Sequence, residues 1–285
     1  MKNYLLIGII LLTISCGITT TKNGKMAVNY FEYSRGKSSH TTSDLHLKYI
    51  NNNYTFKDMK LIDKSFFPDD SIIPNAFFKP LLRLNPGDAL KAFTEPYYSY
   101  RFIHFLKNNP NIGIGIEFIH LKVFLEDMNQ ILNMTGQLNG KQINQNAKIG
   151  DYITMFNVSH GVNHFGLQLT YRWMLNKTKK IQDGKVQPYV NIAVGPAVPH
   201  LEMDMLENRT PRRVAYSYQS GFKNWGIGAG AGIRFKPWQR FGFYIEYKVT
   251  YSHLYDMYLD ELKDSSNIQM SFSVHHLQWG LSFIF

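Results

Sequence analysis

Residues 276–285 read HLQWGLSFIF, with Leu277, Trp279, Leu281, Phe283 and Phe285 on every second position and His276, Gln278, Gly280 and Ser282 between them. This is the period of a β-strand with one apolar and one polar face. The alternation recurs upstream. Phe241, Phe243, Ile245, Tyr247, Val249 and Tyr251 interleave with Gly242, Tyr244, Glu246, Lys248 and Thr250. Phe165, Leu167, Leu169, Tyr171 and Trp173 oppose His164, Gln168, Thr170 and Arg172, while Trp225, Ile227, Ala229, Ala231 and Ile233 oppose glycines and Arg234. Strands are predicted on this basis over 27–35, 97–106, 112–124, 164–175, 186–194, 224–235, 241–253 and 272–285.

The connections alternate in length. Short ones surround Pro110 and cover 176–185 and 236–240; long ones cover 125–163, 195–223 and 254–271. A first excursion, 36–96, holds two further strand-like pieces, 44–50 and 54–62. An irregular stretch follows over 66–96, with five prolines and a helical turn or two near 88–93. Short turns on one side and long loops on the other predict an all-β chain: a transmembrane antiparallel up-and-down β-barrel with short periplasmic turns and long extracellular loops. The count is eight strands, or ten if the 44–62 hairpin joins the wall. Apolar side chains then face lipid around a narrow interior filled by polar side chains, with no open pore. One strand departs from the pattern. Ile112, Ile114, Ile116 and Phe118 face lipid and Glu117 faces inward, which leaves His120 and Lys122 on the lipid side. A β-bulge near Ile119 is expected to return both to the interior.

Composition sharpens the picture at three points. Of the 285 residues 44% are hydrophobic and 15% aromatic, yet beyond the N-terminus no apolar run is long enough for a membrane-spanning helix. The net charge of +10 is spread along the chain without a basic helix or basic-aromatic platform, so it favours phosphorylated outer-membrane lipid over nucleic acid as partner. Cys16 is the only cysteine, which excludes an intrachain disulfide or a zinc cluster. Residues 1–18 carry Lys2, an apolar run and small residues at Ser15, Cys16 and Gly17, the layout of a signal peptide; 19–285 then forms a single barrel domain. Cys16 is a candidate lipidation site with Thr13 where Leu is usual, and an ordinary cleaved signal is the alternative. The amphipathic last strand ending at Phe285 resembles the C-terminal signal read by the barrel-assembly machinery, a further expected partner.

The topology gathers the candidate chemistry. Of ten histidines, His40, His46, His120, His160, His164, His200, His253, His275 and His276 fall in the extracellular half and His104 in the other. Polar rims are ordinary at both barrel ends, but imidazoles suit metal ligation or proton transfer near neutral pH. Glu117, Glu246, Lys248, Arg172 and Arg234 are ionisable groups in a narrow lumen, where they form a salt-bridged plug or the base of a site. The arginines are assigned to the plug; Glu246 and Lys248 fit either. There is no GxSxG elbow, Walker loop, dinucleotide fingerprint or HExxH. Ser159 precedes His160, but strand neighbours point to opposite faces and make a poor nucleophile and base unless the backbone bends there.

Seven stretches carry a resemblance: SDLHLK (43–48), YTFKDMKL (54–61), PYYSYR (96–101), GIEFIHLKVF (115–124), FNVSHGVN (156–163), VPHLE (198–202) and IEYKVTYSH (245–253). In this order they resemble a family of proteobacterial outer-membrane barrels described as lipid A oxidase-like. The resemblance implies oxygen-dependent oxidation of the proximal glucosamine of lipid A to an aminogluconate unit, with hydrogen peroxide formed. The matching positions are His46, Lys48, Glu117, His120, Lys122, Ser159, His160, Asn163, His200, Glu202, Glu246 and Lys248; the chain departs from the family in 66–94 and 209–219. His120, His160, His200, Glu202, Glu246 and Lys248 are the catalytic candidates. His46, Lys48, Lys122, Asn163, Arg212 and Arg213 are candidates for holding the lipid A, with Lys48, Lys122, Arg212 and Arg213 suited to its phosphates. Because side chains do not readily activate dioxygen, a redox centre is needed, and His120, His160 and His200 with Glu202 suit an iron or copper ion. The alternatives are a barrel that binds lipopolysaccharide or presents surface loops without catalysis, and a lipid A deacylase.

Overall fold

The computed structural model describes residues 28–63, 97–207 and 209–285. The expected signal peptide with Cys16 and the irregular stretch over 66–96 lie outside the described residues. Among the described residues fourteen strands follow in chain order. They are β1 (Val28–His40), β2 (Ser43–Tyr49), β3 (Asn52–Met59), β4 (Leu61–Ile62), β5 (Tyr97–Phe105), β6 (Ile112–Leu125) and β7 (Ile131–Leu138). Then come β8 (Lys141–Lys148), β9 (Ile153–Arg172), β10 (Val186–Glu207), β11 (Thr210–Tyr218), β12 (Asn224–Trp238), β13 (Phe241–Met257) and β14 (Ser266–Ile284).

Eight of these form a closed antiparallel ring in the order β1, β5, β6, β9, β10, β12, β13, β14, with β14 returning to β1 from Tyr30 opposite Ile284 to His40 opposite Val274. The eight predicted strands are the eight of the ring. The 44–62 hairpin stays out of the membrane wall: β2 pairs only with the far end of β14, Ser266 to Met270, and carries β3, β7 and β8 beyond it. Outward residues build a band bounded by aromatic rings at both ends. Phe241, Phe243, Phe283 and Trp238 mark one edge, and Phe118, Phe165, Trp225 and Tyr251 the other. At ~3.4 Å per residue and a tilt of about 40°, Phe241 to Tyr251 spans roughly 25 Å, the height of a lipid-facing belt.

The predicted long loops are largely strand. Above the belt β9, β10, β13 and β14 continue upward, and the interior changes character as they do. On β14 the inward positions run from Gln278 and His276 to Val274, Phe272, Met270 and Ile268, all buried, while the outward ones change from Leu277 to His275, Ser273 and Ser271. Inside and outside exchange polarity where the strand leaves lipid for water. The apolar upper core takes Leu45, Phe56, Leu121, Val123, Phe156, Leu201, Met203 and Met270.

This exchange overturns the bulge expected near Ile119. Ile119, Leu121, Val123 and Leu125 stay buried in phase with Glu117, because the interior they reach is apolar, so His120 and Lys122 remain on the outer face. The register shift lies on the partner strand: Leu121 faces Val162 and Val123 faces Val158, leaving 159–161 of β9 bulged out.

Within the belt the lumen is filled by charge. Arg101 reaches Glu246 at 2.5 Å and Glu32 at 3.0 Å, Lys248 grips both oxygens of Glu117 at 2.6 and 2.5 Å, and Arg234 donates to Glu32 at 2.7 Å. All are fully buried or nearly so. Tyr189 and Gln278 satisfy the remaining Glu246 positions at 2.7 Å each. Nearer the turns Arg172 meets Tyr30, and Lys236 pairs with Asp183. Removing one member of such a network strands its partners in a low dielectric. Arg101→Met is expected to cost roughly 3–5 kcal/mol of stability. Lys57→Ala, which breaks the exposed pair with Asp44, is expected to stay within about 1 kcal/mol; urea titration in lipid vesicles measures both.

Candidate functional site

The bulge in β9 sets up the site. Gly161 has φ +91°, and a Cβ there would lie 2.4 Å from the His120 ring, so both conformation and space demand glycine. The bend turns Ser159 and His160 to the same side, the condition under which the sequence allowed them to cooperate. Across the strand pair, β10 points His200 and Glu202 outward, and β11 backs them with Tyr218 and Tyr216 in direct register.

Four side chains converge on the outer wall. His160 Nδ1 lies 2.9 Å from Glu202 Oε1 and 3.2 Å from Ser159 Oγ, and Ser159 donates a short hydrogen bond to the same Glu202 oxygen. His200 Nδ1 is 3.6 Å from Glu202 Oε1. His200 is 5% exposed, packed between the His160 ring at 4.4 Å, Tyr218 at 4.6 Å and Tyr216 at 5.0 Å. Burial, then the neighbouring His160, hold its imidazole below the ordinary range. One ligand atom each from His160, His200 and Glu202 falls within 4.8 Å of the others. With bonds of about 2.1 Å, adjacent ligands of a transition metal stand roughly 3 Å apart; the 2.9 Å and 3.6 Å separations to Glu202 approach this, and the set would have to draw in to hold an ion. Buried His200 Nδ1 has no hydrogen-bond partner among the described residues, as a nitrogen kept for a metal would not.

The other predicted residues divide into three groups. His120 and Asn163 flank the cluster on the outer face: their side chains bond at 2.9 Å, and His120 stacks on Tyr98 at 4.7 Å. Lys122 lies two residues farther along that face of β6, and Arg213 and Arg212 stand higher on β11, paired with Asp204 and Glu261. His46 and Lys48 sit on β2, across the ring from β9. There His46 bonds Thr55 at 2.9 Å and lines a polar concavity of about 350 Å³ with Asp44, Tyr255 and Gln269. Glu246 and Lys248 belong to the buried lumenal plug, inside the wall that carries the cluster outside. The sequence reading missed Tyr216 and Tyr218; their spacing of two, at the end of a stretch read as loop, was the available signal.

The closed ring, its apolar belt and its ion-filled lumen define an integral outer-membrane β-barrel protein. No family model and no curated protein matches the chain. Among solved structures it is similar to Neisserial surface protein A, with 6% identity, 90% of this chain and 96% of that one covered, and a TM-score of 0.35. OprG from Pseudomonas aeruginosa gives 10%, 92%, 98% and 0.41, and the outer membrane protease OmpT from Escherichia coli 9%, 93%, 99% and 0.41 in the same order. At these identities no residue role is carried across.

Two outcomes test this arrangement. Gly161→Ala is expected to lower the urea midpoint, by ~1–3 kcal/mol of backbone strain, because the bulge must rebuild. His46, desolvated and close to Lys48 and Lys57, is expected to titrate below the ordinary imidazole value when followed by NMR across pH.

Proposed function

We propose that this barrel modifies the sugar headgroup of an outer-leaflet glycolipid, and that the reaction is oxygen-dependent oxidation of the proximal glucosamine of lipid A. The observation that carries the reading is the position of His160, His200 and Glu202. They stand on the outer wall, with His200 four residues up β10 from Pro196, which pairs with Trp225 in the upper girdle. At ~3.3 Å per residue and the usual tilt this is about 10 Å above the hydrocarbon, in the polar layer. A lipid sugar reaches that height from the membrane side; a solute in the plugged lumen does not. The specific activity is what the resemblance of the seven stretches implies.

The chemistry requires two electrons and two protons to leave the anomeric hemiacetal carbon and its hydroxyl for dioxygen. The products are a lactone and hydrogen peroxide, and water opens the lactone, so the disaccharide gains one oxygen. The two imidazoles of His160 and His200 and the Glu202 carboxylate would suit a non-haem iron ion, which would supply the one-electron chemistry that dioxygen needs. Of the four expected ligands, His160, His200 and Glu202 stand together, while the His120 ring bonds Asn163 and stacks on Tyr98. Ser159 holds the Glu202 carboxylate toward the two imidazoles, and Tyr216 and Tyr218 shield His200 from water.

Deacylation is the second reading, favoured by the contact of Ser159 with His160. It ranks lower because Ser159 and Glu202 meet the same imidazole nitrogen, whereas a relay uses opposite ones. Mass spectrometry of lipid A from aerated cells is expected to show one added oxygen when the protein is present. His160→Ala or His200→Ala is expected to cut that product at least ~100-fold while the barrel remains heat-modifiable. Unchanged lipid A would sink the oxidase reading in favour of a binding barrel, and a lost acyl chain would select the hydrolase.

A further inference from the structure

β11 lies off the membrane ring, paired with the upper half of β10 while β12 pairs with the lower half. Between them the chain makes a knuckle over 219–223 at the level where the apolar belt ends. Both of its ends are clamped. The Gln219 amide donates to the Tyr258 carbonyl at 2.9 Å and accepts from the Tyr258 N–H at 2.7 Å. The Asn224 amide does the same for Asp256 at 3.2 and 2.9 Å. Gln219 and Asn224 are buried, so the backbone of the knuckle is fixed by two side-chain amides standing in for a strand ladder. What the clamp presents is Phe222, fully exposed, beside exposed Lys223.

Phe222 is one of a row. Trp225 of the girdle is 38% exposed, and Tyr218 and Tyr216 on the outward face of β11 are 57% and 52% exposed; the two tyrosines end against His200. Along β10 the row climbs from Trp225, opposite Pro196, to Tyr218, opposite His200, and Tyr216, opposite Glu202, with Phe222 on the connection between. Aromatic side chains with a wet edge settle at the membrane interface, and tyrosine rings pack against the C–H faces of sugars. We infer that Trp225, Phe222, Tyr218 and Tyr216 form a docking track for one outer-leaflet phosphorylated glycolipid. Its acyl chains lie at Phe222 and Trp225, its sugar lies on the tyrosines beside His160 and His200, and Lys223 meets its phosphate. Continuity with the belt selects a lipid as occupant: Trp225 belongs to both surfaces. The inference rests on the proposed function for its location beside the cluster, but docking does not require the oxidation.

A photoreactive benzophenone side chain introduced at position 222 or 218 of the full chain in cells tests it, with the exposed position 39 on β1, across the ring from β10, as control. Crosslinks carrying lipid A are expected at 222 and 218 and not at 39. Adducts only with protein or glycerophospholipid, or equal lipid A capture at 39, would overturn the track. In nanodiscs holding lipid A, Phe222→Ser is expected to lower lipid A retention about tenfold, as loss of a buried ring does, with an unchanged urea midpoint; unchanged retention would also overturn it. Lipid A crosslinking without oxidised product leaves the track standing and removes the oxidase, whereas product formation without crosslinking removes the track alone.

Discussion

Hydrocarbon offers no hydrogen-bond partner to an open strand edge, and the pairing of β1 with β14 is what meets that constraint here. Every other feature of the lower half follows from closing an eight-stranded ring. A ring that narrow has no room for a channel, so its inward side chains must fill it, and the polar ones must satisfy one another. Arg101 between Glu32 and Glu246, and Lys248 on Glu117, are that solution. The charged plug and the apolar belt are two sides of the same alternation.

Above the belt the constraint reverses, and the strands obey it without changing phase. Side chains that would face lipid below face water above, so histidines, serines and acids take the outside while Ile, Leu, Met and Phe take the inside. The extension is therefore a small water-exposed β domain with its own apolar core, raised on a membrane barrel. It places functional groups on its outer wall, next to the membrane surface, instead of in a pore.

That placement gives the His160, His200 and Glu202 cluster its meaning. A bulge at Gly161 supplies the bend, β10 supplies His200 and Glu202 at alternate outward positions, and β11 supplies the aromatic backing. The exposed imidazole of His160 and the buried one of His200 face one carboxylate at 2.9 Å and 3.6 Å, an arrangement that would suit a metal ion. The track from Trp225 to Tyr216 would bring a membrane glycolipid to it.

Period-two patterning alone determined the eight membrane strands, their faces, the side of the short turns and the inward place of Arg172 and Arg234, though not of Arg101, because lipid tests each outward residue independently and local alternation records the result. It put His160 and His200 in the upper half with seven other histidines, and only the resemblance of the seven stretches named them, with His120 and Glu202, as site candidates. Tertiary structure decided the rest. Whether His120 faces in or out depends on the polarity of the interior it would enter, which is built from strands far away in sequence such as β2 and β14. Glu246 and Lys248 read as site or plug until Arg101 and Glu117 stood beside them. His46 and His160 looked equally extracellular, yet closure of the ring put them on opposite walls, since a strand pattern gives height along the barrel but only the order of pairing gives position around it.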